Sequence, residues 1–107
     1  MTLDQTLAAL ADPVRRGTVE LLRGQPRPAG ELARALSLSA PAMSRHLKVL
    51  RQAGLVEADT AEGDARVRVY HLRPEPFGEL GSWVAEVESF WGAQLEAFRV
   101  HAERDRP

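Results

Sequence analysis

The sequence contains no cysteine among its 107 residues. This absence excludes a disulfide-stabilised scaffold, a thiolate metal site and a cysteine nucleophile. Aromatic residues make up only 6% of the chain, so its core must consist mainly of leucine, valine and alanine. Because 44% of the residues are hydrophobic and the length suits one domain, the chain can still form a buried core.

Long apolar runs are also missing. No segment approaches the roughly 20 apolar residues that cross a bilayer. Residues 1–10 lack the basic start and the apolar block of a signal peptide. We therefore expect a soluble, cytoplasmic protein with no membrane partner.

Acidic residues are absent between Glu31 and Glu57. Residues 13–56 carry eight basic and two acidic side chains, whereas residues 57–107 carry six basic and eleven acidic ones. The formal net charge of −1 therefore conceals a segment of +6 followed by one of −5. A concentrated block of positive charge indicates a surface that can meet a polyanion.

Apolar spacing and capping residues predict four helices in the first half of the chain. The first covers residues 2–11, and Asp12-Pro13 is a typical helix start for the second, which runs to Arg23. Residues 25–28 are expected to form a loop. Two short helices over about 29–36 and 40–53 flank a three-residue turn at 37–39, with Ser39 as the N-cap of the latter.

The pattern then changes to two strands and a long helix. Residues 55–59 and 66–72 read as strands separated by a loop, and Arg66 and Arg68 share one face of the second strand. Proline residues break the chain at 74–76, and a helix is expected over 77–103. The fold predicted is mostly α with a β-hairpin wing, a winged helix-turn-helix of about five helices in the order α-α-α-α-β-β-α. It forms one domain, 1–107, with the helix-turn-helix at about 29–53, the wing at 55–72 and the C-terminal helix at 77–103.

Two short helices around a tight turn, the second bearing basic residues, favour a DNA-binding helix-turn-helix. Small side chains at the start of the second helix would let it approach base edges, and Arg45 is long enough to reach guanine. His46 lies near the edge of the inner face, where it is a base reader or a half-buried hydrogen-bonding residue. The predicted DNA contacts are Ser39, Ala40, Pro41, Ser44, Arg45, His46 and Lys48, with Arg15, Arg16, Arg66 and Arg68 as further contacts.

The first and last helices carry more apolar surface than a chain of this length can bury. We expect the excess to form the interface of a homodimer, with two recognition helices reaching successive major grooves about 34 Å apart. The interface residues predicted are Leu3, Leu7, Leu10, Leu80, Val84, Val87, Trp91, Leu95 and Phe98.

Several of these segments resemble one known family. The runs at 9–16 (ALADPVRR) and 44–56 (SRHLKVLRQAGLV), together with Glu31-Leu32-Ala33 and Tyr70-His71-Leu72, are similar to signatures of the ArsR/SmtB winged-helix repressors of bacteria. The resemblance covers about residues 7–72. It implies a homodimer that binds an imperfect inverted repeat in double-stranded DNA, often in its own promoter. Many members release DNA when a metal or another inducer binds.

The sequence departs from the metal-sensing members of that family. It has no Cys-x-Cys pair before the recognition helix, and its last helix offers only His101 with Glu103 and Asp105 near the chain end. A single soft ligand per chain at this place makes a poor zinc site, so we expect no metal and no cofactor. No nucleophile, phosphate-loop or metalloprotease motif is present, and an enzyme is not expected.

Two alternatives remain open from the sequence. The acidic residues of the wing would be repelled by phosphate, which favours a winged helix that binds proteins rather than DNA. A repressor released by an apolar small molecule is the other, with Trp83, Phe90 and Trp91 lining a pocket beside the first helix.

Overall fold

The computed structural model describes residues 2–104, apart from the side chain of Ala65. Five helices and three strands follow one another along the chain. They are α1 (Leu3–Leu10), α2 (Pro13–Gly24), β1 (Arg27–Pro28), α3 (Ala29–Ala35), α4 (Ala40–Gln52), β2 (Val56–Ala61), β3 (Asp64–Leu72) and α5 (Pro74–Arg104). The strands form an antiparallel sheet in the order β1-β3-β2. The predicted winged helix-turn-helix is thereby confirmed.

Side-chain caps begin three of the helices, and two of these caps, at Asp12 and Ser39, stand where the sequence predicts them. The Thr2 hydroxyl accepts a hydrogen bond from the Gln5 amide at 3.1 Å, and the Gln5 side chain accepts one from the Thr2 amide at 3.0 Å. At α2, Asp12 Oδ1 accepts from the amide of Val14 at 2.8 Å. At α4, Ser39 Oγ accepts from the amide of Ala42 at 3.2 Å. These bonds satisfy backbone donors that have no partner within the helix.

The cap at Asp12 makes the stability of the fold depend on pH. The backbone amide of Arg15 donates to the carboxylate at 3.1 Å and, with the amide of Val14, holds the pKa of Asp12 below its ordinary value. A lowered pKa in the folded state stabilises the fold above the carboxyl's unfolded pKa, and this contribution disappears as pH falls through the folded pKa. We expect Asp12→Asn, which keeps a capping oxygen, to lose less stability between about pH 6 and pH 3 than the wild type does. Thermal unfolding at both pH values measures the difference, and an unchanged pH dependence would contradict it.

Helices α3 and α4 end in the same way, with a left-handed residue that closes two backbone hydrogen bonds. After α3, Ser37 has φ 56°, and the amide of Leu38 donates to the carbonyl of Ala33 at 2.9 Å. After α4, Gly54 has φ 77°, and the amide of Leu55 donates to the carbonyl of Leu50 at 2.9 Å. Both are Schellman caps. The first of them sets the direction of the turn between the two helices.

Substitutions of the left-handed residues in these two caps are expected to change the stability of the protein in opposite directions. Gly54→Ala should destabilise the protein by about 1–2 kcal/mol, because an L side chain is strained at positive φ. Ser37→Gly should stabilise it by roughly 0.5 kcal/mol, since relief of strain is partly offset by a more flexible unfolded chain. Urea unfolding of both variants measures the free energies. A destabilising Ser37→Gly would show that the serine side chain itself supports the turn.

Two expectations about the secondary structure were wrong. Residues 25–28 do not form only a loop, because Arg27 and Pro28 pair with Tyr70 and Val69 as strand β1. A two-residue strand has no periodicity to detect, and it exists only because β3 offers it a free edge. The helix expected over 77–103 begins at Pro74, since a missing N–H is tolerated in the first turn, where amides have no helical partner.

The core lies between α1–α4 and the base of the sheet. Its most completely buried side chains include Leu32, Met43, Leu47, Leu50 and Leu55. Three of them lie on α4, and their spacing is the inward stripe predicted for the recognition helix. Helix α4 is therefore anchored by one face, which leaves its other face open to solvent.

Helix α5 extends far beyond this core. The molecule measures 74 × 25 × 22 Å because the 31-residue helix projects from the body. Large apolar side chains along it are exposed, from 40% at Val84 to 71% at Phe98. Within residues 2–104, no helix is both long enough and apolar enough to cross a membrane. The apolar surface of α5 is interrupted by charges and covers only part of its circumference.

Candidate nucleic-acid interface

The exposed face of α4 carries the residues expected to contact DNA. The structure brings six of them together at the start and along the outer side of the helix, all exposed: Ser39, Ala40, Pro41, Ser44, Arg45 and Lys48. Their exposure follows from the burial of Met43, Leu47 and Leu50 on the opposite side. The first turn of this face consists of short side chains, so the helix backbone can come close to a surface.

The two cations of this face are not engaged elsewhere. Among residues 2–104, neither Arg45 nor Lys48 forms an ion pair or a side-chain hydrogen bond. Arg27, by contrast, pairs with Glu31 at 3.1 Å and donates to the carbonyl of Leu21 at 3.2 Å. Arg45 and Lys48 are therefore free to bind an external acceptor at no cost in internal contacts.

His46 is half-buried, at the edge of the inner face of α4. Its Nδ1 lies 3.4 Å from Nη1 of Arg15 on α2. A guanidinium group only donates hydrogen bonds, so Nδ1 of His46 is the acceptor in this contact. The position matches the half-buried hydrogen-bonding alternative, and contact of His46 with DNA stays a prediction.

Arg15 and Arg16 have an internal role that the sequence did not reveal. Arg15 Nε donates to the carbonyl of Ala9 at 2.6 Å, and Arg16 Nη1 donates to the carbonyls of Leu10 and Ala11 at 2.9 and 3.2 Å. These carbonyls end α1, where no basic residue of the helix itself is available. Positive charge at a helix C-terminus is stabilising, so both arginines fix α1 against α2. Phosphate contact by either remains a prediction.

The wing has one basic and one acidic face. Arg66 and Arg68 lie on the same side of β3, and both are exposed. Arg66 Nε is 3.5 Å from Asp64 Oδ1, but 93% of its side chain is exposed, so this pair does not immobilise it. Because side chains alternate along a strand, the residues that follow Arg66 and Arg68 in β3 lie on the opposite face of the sheet.

The acidic face of the wing is explained by contacts across the strands. Glu57 and Asp59 each approach a different ring nitrogen of His71 at 3.4 Å, and Glu57 also lies 3.7 Å from Arg73. His71 has no carboxylate beside it in sequence, so only the pairing of β2 with β3 reveals this cluster. Two of the four wing acids thus face away from Arg66 and Arg68. Their repulsion of a phosphate at the arginine face is correspondingly reduced.

A groove lies on another side of the molecule, between α2 and the start of α5. Its volume is about 490 Å³, and apolar side chains form its floor. Arg16 and Arg23 stand at its rim beside Glu20, which lies 3.5 Å from Arg23. The apolar lining residues are Leu10, Val19, Phe77 and Leu80. Trp83, Phe90 and Trp91, considered above as pocket walls, are exposed on α5.

Within residues 2–104 the structure holds no cluster of three or more histidine, aspartate or glutamate side chains placed to bind a metal. Asp105, the possible companion of His101, lies outside the described residues. The chemistry available at the exposed face of α4 is therefore hydrogen bonding and charge, which suits a nucleic acid.

Known proteins are similar to this chain in both sequence and fold. A helix-turn-helix domain family matches residues 10–58. The transcriptional regulator Rv2034 of Mycobacterium tuberculosis is 42% identical over 95 residues, which are 89% of this chain and 83% of the relative. The crystal structure of the ArsR family transcriptional regulator RHA00566 superposes with a TM-score of 0.74 at 30% identity, covering 84% of this chain and 96% of that one.

A third relative adds information on assembly. The homodimeric winged helix-turn-helix DNA-binding domain of Mb0332 from Mycobacterium bovis superposes with a TM-score of 0.62 at 30% identity, over 81% of each chain. Rv2034 and RHA00566 are transcriptional regulators. Identity and coverage at these levels, together with the buried and exposed faces of α4, show that this chain belongs to the ArsR family of winged helix-turn-helix transcriptional regulators.

Proposed function

We propose that this regulator is a homodimeric repressor that binds an imperfect inverted repeat in double-stranded DNA. The observation that carries the proposal is the outer face of α4, where Arg45 and Lys48 are exposed and have no partner among the described residues. No acidic side chain lies between Glu31 and Glu57 to oppose the approach of phosphate. A dimer seated on a promoter would exclude polymerase, and the regulator's own promoter is the first place to look for its operator.

Each basic group has a distinct role in the proposal. Arg45 reads a guanine through O6 and N7 in the major groove, and Lys48 binds a backbone phosphate. Arg66 and Arg68 reach the backbone or a neighbouring groove from the basic face of the wing. Ser44 bonds a base edge or phosphate, while Ser39, Ala40 and Pro41 allow the close approach of the helix.

The homodimer is supported by the apolar surface that one protomer leaves exposed. Leu7 of α1 is 39% exposed, and Trp91, Leu95 and Phe98 of α5 are 56–71% exposed. A continuous stripe of exposed apolar side chains lowers the solubility of a monomer and is typical of a protein–protein interface. The solved relative from Mycobacterium bovis is a homodimer, which agrees with this assignment. The predicted interface residues on α1 and α5 remain to be tested.

Selection of DNA fragments from the source genome by the purified protein tests the proposal directly. Fragments retained at about 150 mM salt should share an inverted repeat whose half-sites are centred about 34 Å apart, one turn of the duplex. Footprinting should then protect both half-sites together. A matched fragment with one half-site scrambled serves as the control.

Two results would contradict the proposal. Retention of fragments without any shared sequence would show that binding is only electrostatic. Equal affinity for the intact and half-scrambled repeats would show that the protein does not bind as a symmetric dimer. Failure to bind any DNA would favour the alternative of a winged helix that contacts proteins.

A further inference from the structure

A second apolar cleft continues the groove between α2 and α5 toward the base of the wing. Its volume is about 400 Å³, and Val19, Arg23 and Phe77 line both cavities. Its remaining walls come from the junction of β3 with α5: Leu72, Arg73 and Pro74. We call this second cavity the arginine cleft. Both cavities have volumes typical of small-molecule sites, about 300–1,000 Å³, and together they form one elongated depression.

Two guanidinium groups are the only charged groups that line the arginine cleft within residues 2–104. Neither Arg23 nor Arg73 donates a side-chain hydrogen bond inside this part of the chain. Nη2 of Arg23 lies 3.5 Å from a carboxylate oxygen of Glu20. The guanidinium group of Arg73 lies 3.6 Å from Glu75 and 3.7 Å from Glu57. These separations are too long for strong hydrogen bonds, so both guanidinium groups keep donors for an external acceptor.

We propose that the arginine cleft and the groove together bind one apolar monocarboxylic acid with a straight hydrocarbon chain. Its carboxylate lies between Arg23 and Arg73, because a guanidinium group matches a carboxylate with two parallel N–H donors. Its hydrocarbon chain lies along Phe77, which lines both cavities, and ends near Leu80 in the groove. The elongated shape of the depression suits a straight chain better than a compact ring system.

The walls of the arginine cleft favour an anion that carries hydrocarbon over inorganic phosphate. The same two arginines would attract a phosphate ion, but the ion would leave the apolar side chains in contact with water. A hydrocarbon chain covers Val19, Leu72 and Phe77, and removal of apolar surface from water stabilises the complex. Charge and apolar contact therefore select the same class of ligand.

The arginine cleft is separate from the surfaces assigned to DNA and to a second protomer. None of its lining residues is among the predicted DNA contacts or the predicted interface residues. The assignments meet only in the groove, where Arg16, Leu10 and Leu80 lie. The inference therefore goes beyond the proposed function, and its test needs no DNA.

Two carboxylates of the protein compete with the ligand for these arginines. Glu20 stands beside Arg23 at the rim of the groove, and Glu57 of the wing faces Arg73. Both carboxylates are more than half exposed, so each pair is weak. A bound carboxylate replaces these distant partners with a close one. Removal of either competing carboxylate should accordingly strengthen ligand binding.

Titration calorimetry of the full-length protein with octanoate as the probe tests the site. We expect one octanoate per chain, bound at least tenfold more tightly than 1-octanol or octyltrimethylammonium. Affinity should rise two- to fourfold for each methylene added between hexanoate and octanoate, because a fully buried methylene strengthens binding by about fourfold. Equal affinity for octanoate and 1-octanol, or no dependence on chain length, would overturn the proposal.

Substitution of the arginines separates a specific site from general attraction of anions. Arg23→Gln and Arg73→Gln should each weaken octanoate binding by about five- to tenfold and leave the binding of 1-octanol unchanged. Arg34→Gln is the matched control, because it removes an exposed arginine of α3 that lines neither cavity. An equal loss in all three variants would show that only net charge attracts the probe.

The competing carboxylates give a prediction of opposite sign. Glu20→Gln and Glu57→Gln should each strengthen octanoate binding by about two- to threefold. Glu62→Gln adds the same charge at the exposed tip of the wing, away from both cavities, and should leave the affinity unchanged. Gains that are absent at Glu20 and Glu57, or equal at Glu62, would contradict the assigned position of the carboxylate. Thermal unfolding shows which variants are folded.

Nuclear magnetic resonance locates the probe on the protein. Magnetisation transfer from the octanoate methylenes should reach the methyl groups of Val19 and Leu72, which line the arginine cleft. The exposed side chain of Leu95 on α5 is the internal control, because any apolar probe can adhere to an exposed apolar surface. Transfer to Leu95 without transfer to Val19 or Leu72 would show non-specific binding to α5 and would overturn the site.

Discussion

Arg45→Ala is expected to reduce operator affinity by about 1–3 kcal/mol, roughly 5- to 150-fold, and to relax the base preference at one position of each half-site. The reason is that Arg45 is exposed at the outer face of α4 with no partner among residues 2–104, so its loss removes an external contact and disturbs no internal one. Titration of the operator and of single-base variants at fixed salt measures both effects.

Lys48→Ala provides the matched control one helical turn away on the same exposed face. As a phosphate contact it should weaken binding to all sequences alike and reduce the dependence of log affinity on log salt by about one. If Arg45→Ala behaved in the same way as Lys48→Ala, with unchanged sequence preference, then Arg45 would be a backbone contact. Unchanged operator affinity in both variants would show that the exposed face of α4 does not contact the DNA.

The largest effect on stability is expected from Leu50→Ala. Leu50 is completely buried on the inner face of α4, and truncation of a buried leucine typically costs about 2–5 kcal/mol, part of it for the cavity left behind. The anchoring of the recognition helix depends on this face. The variant should therefore also lose operator binding at a lower temperature than the wild type does. Urea unfolding and binding measured across a temperature range test the two expectations together.

The adjacent Val49→Ala serves as the control, because Val49 is 37% exposed on the same helix. We expect its effect to stay within about 0.5–1 kcal/mol, since it removes little buried surface. Because unfolding of a dimer depends on concentration, all variants must be compared at one protein concentration. A loss for Leu50→Ala no larger than that for Val49→Ala would show that α4 is not held by the core described above.

The candidate interface was largely predictable because its signals are local. Exposure of Arg45 and Lys48 follows from the three-to-four-residue spacing of Met43, Leu47 and Leu50, which any helix of this sequence would show. The contact roles of these residues are still predictions, since exposure gives access and not recognition. The same holds for Arg66 and Arg68 on the wing.

The internal roles of the other charged residues could not be predicted from the spacing of residues along the sequence. Arg15 and Arg16 satisfy the C-terminal carbonyls of α1, and this depends on the angle at which α1 meets α2. Glu57 and Asp59 approach His71 only because β2 and β3 pair in one register. A one-residue slip would place the acids on the other face of the hairpin.

The sequence alone determined the helices, the caps at Asp12 and Ser39, the inner face of α4 and the winged helix-turn-helix class. These features rest on interactions between residues within about one helical turn of each other, so short-range spacing specifies them. Only the tertiary structure decided that Arg27 and Pro28 form a strand and that Glu57 and Asp59 approach His71. Both features depend on which distant segment lies alongside, because a free strand edge or a cross-strand neighbour is a property of the assembled chain.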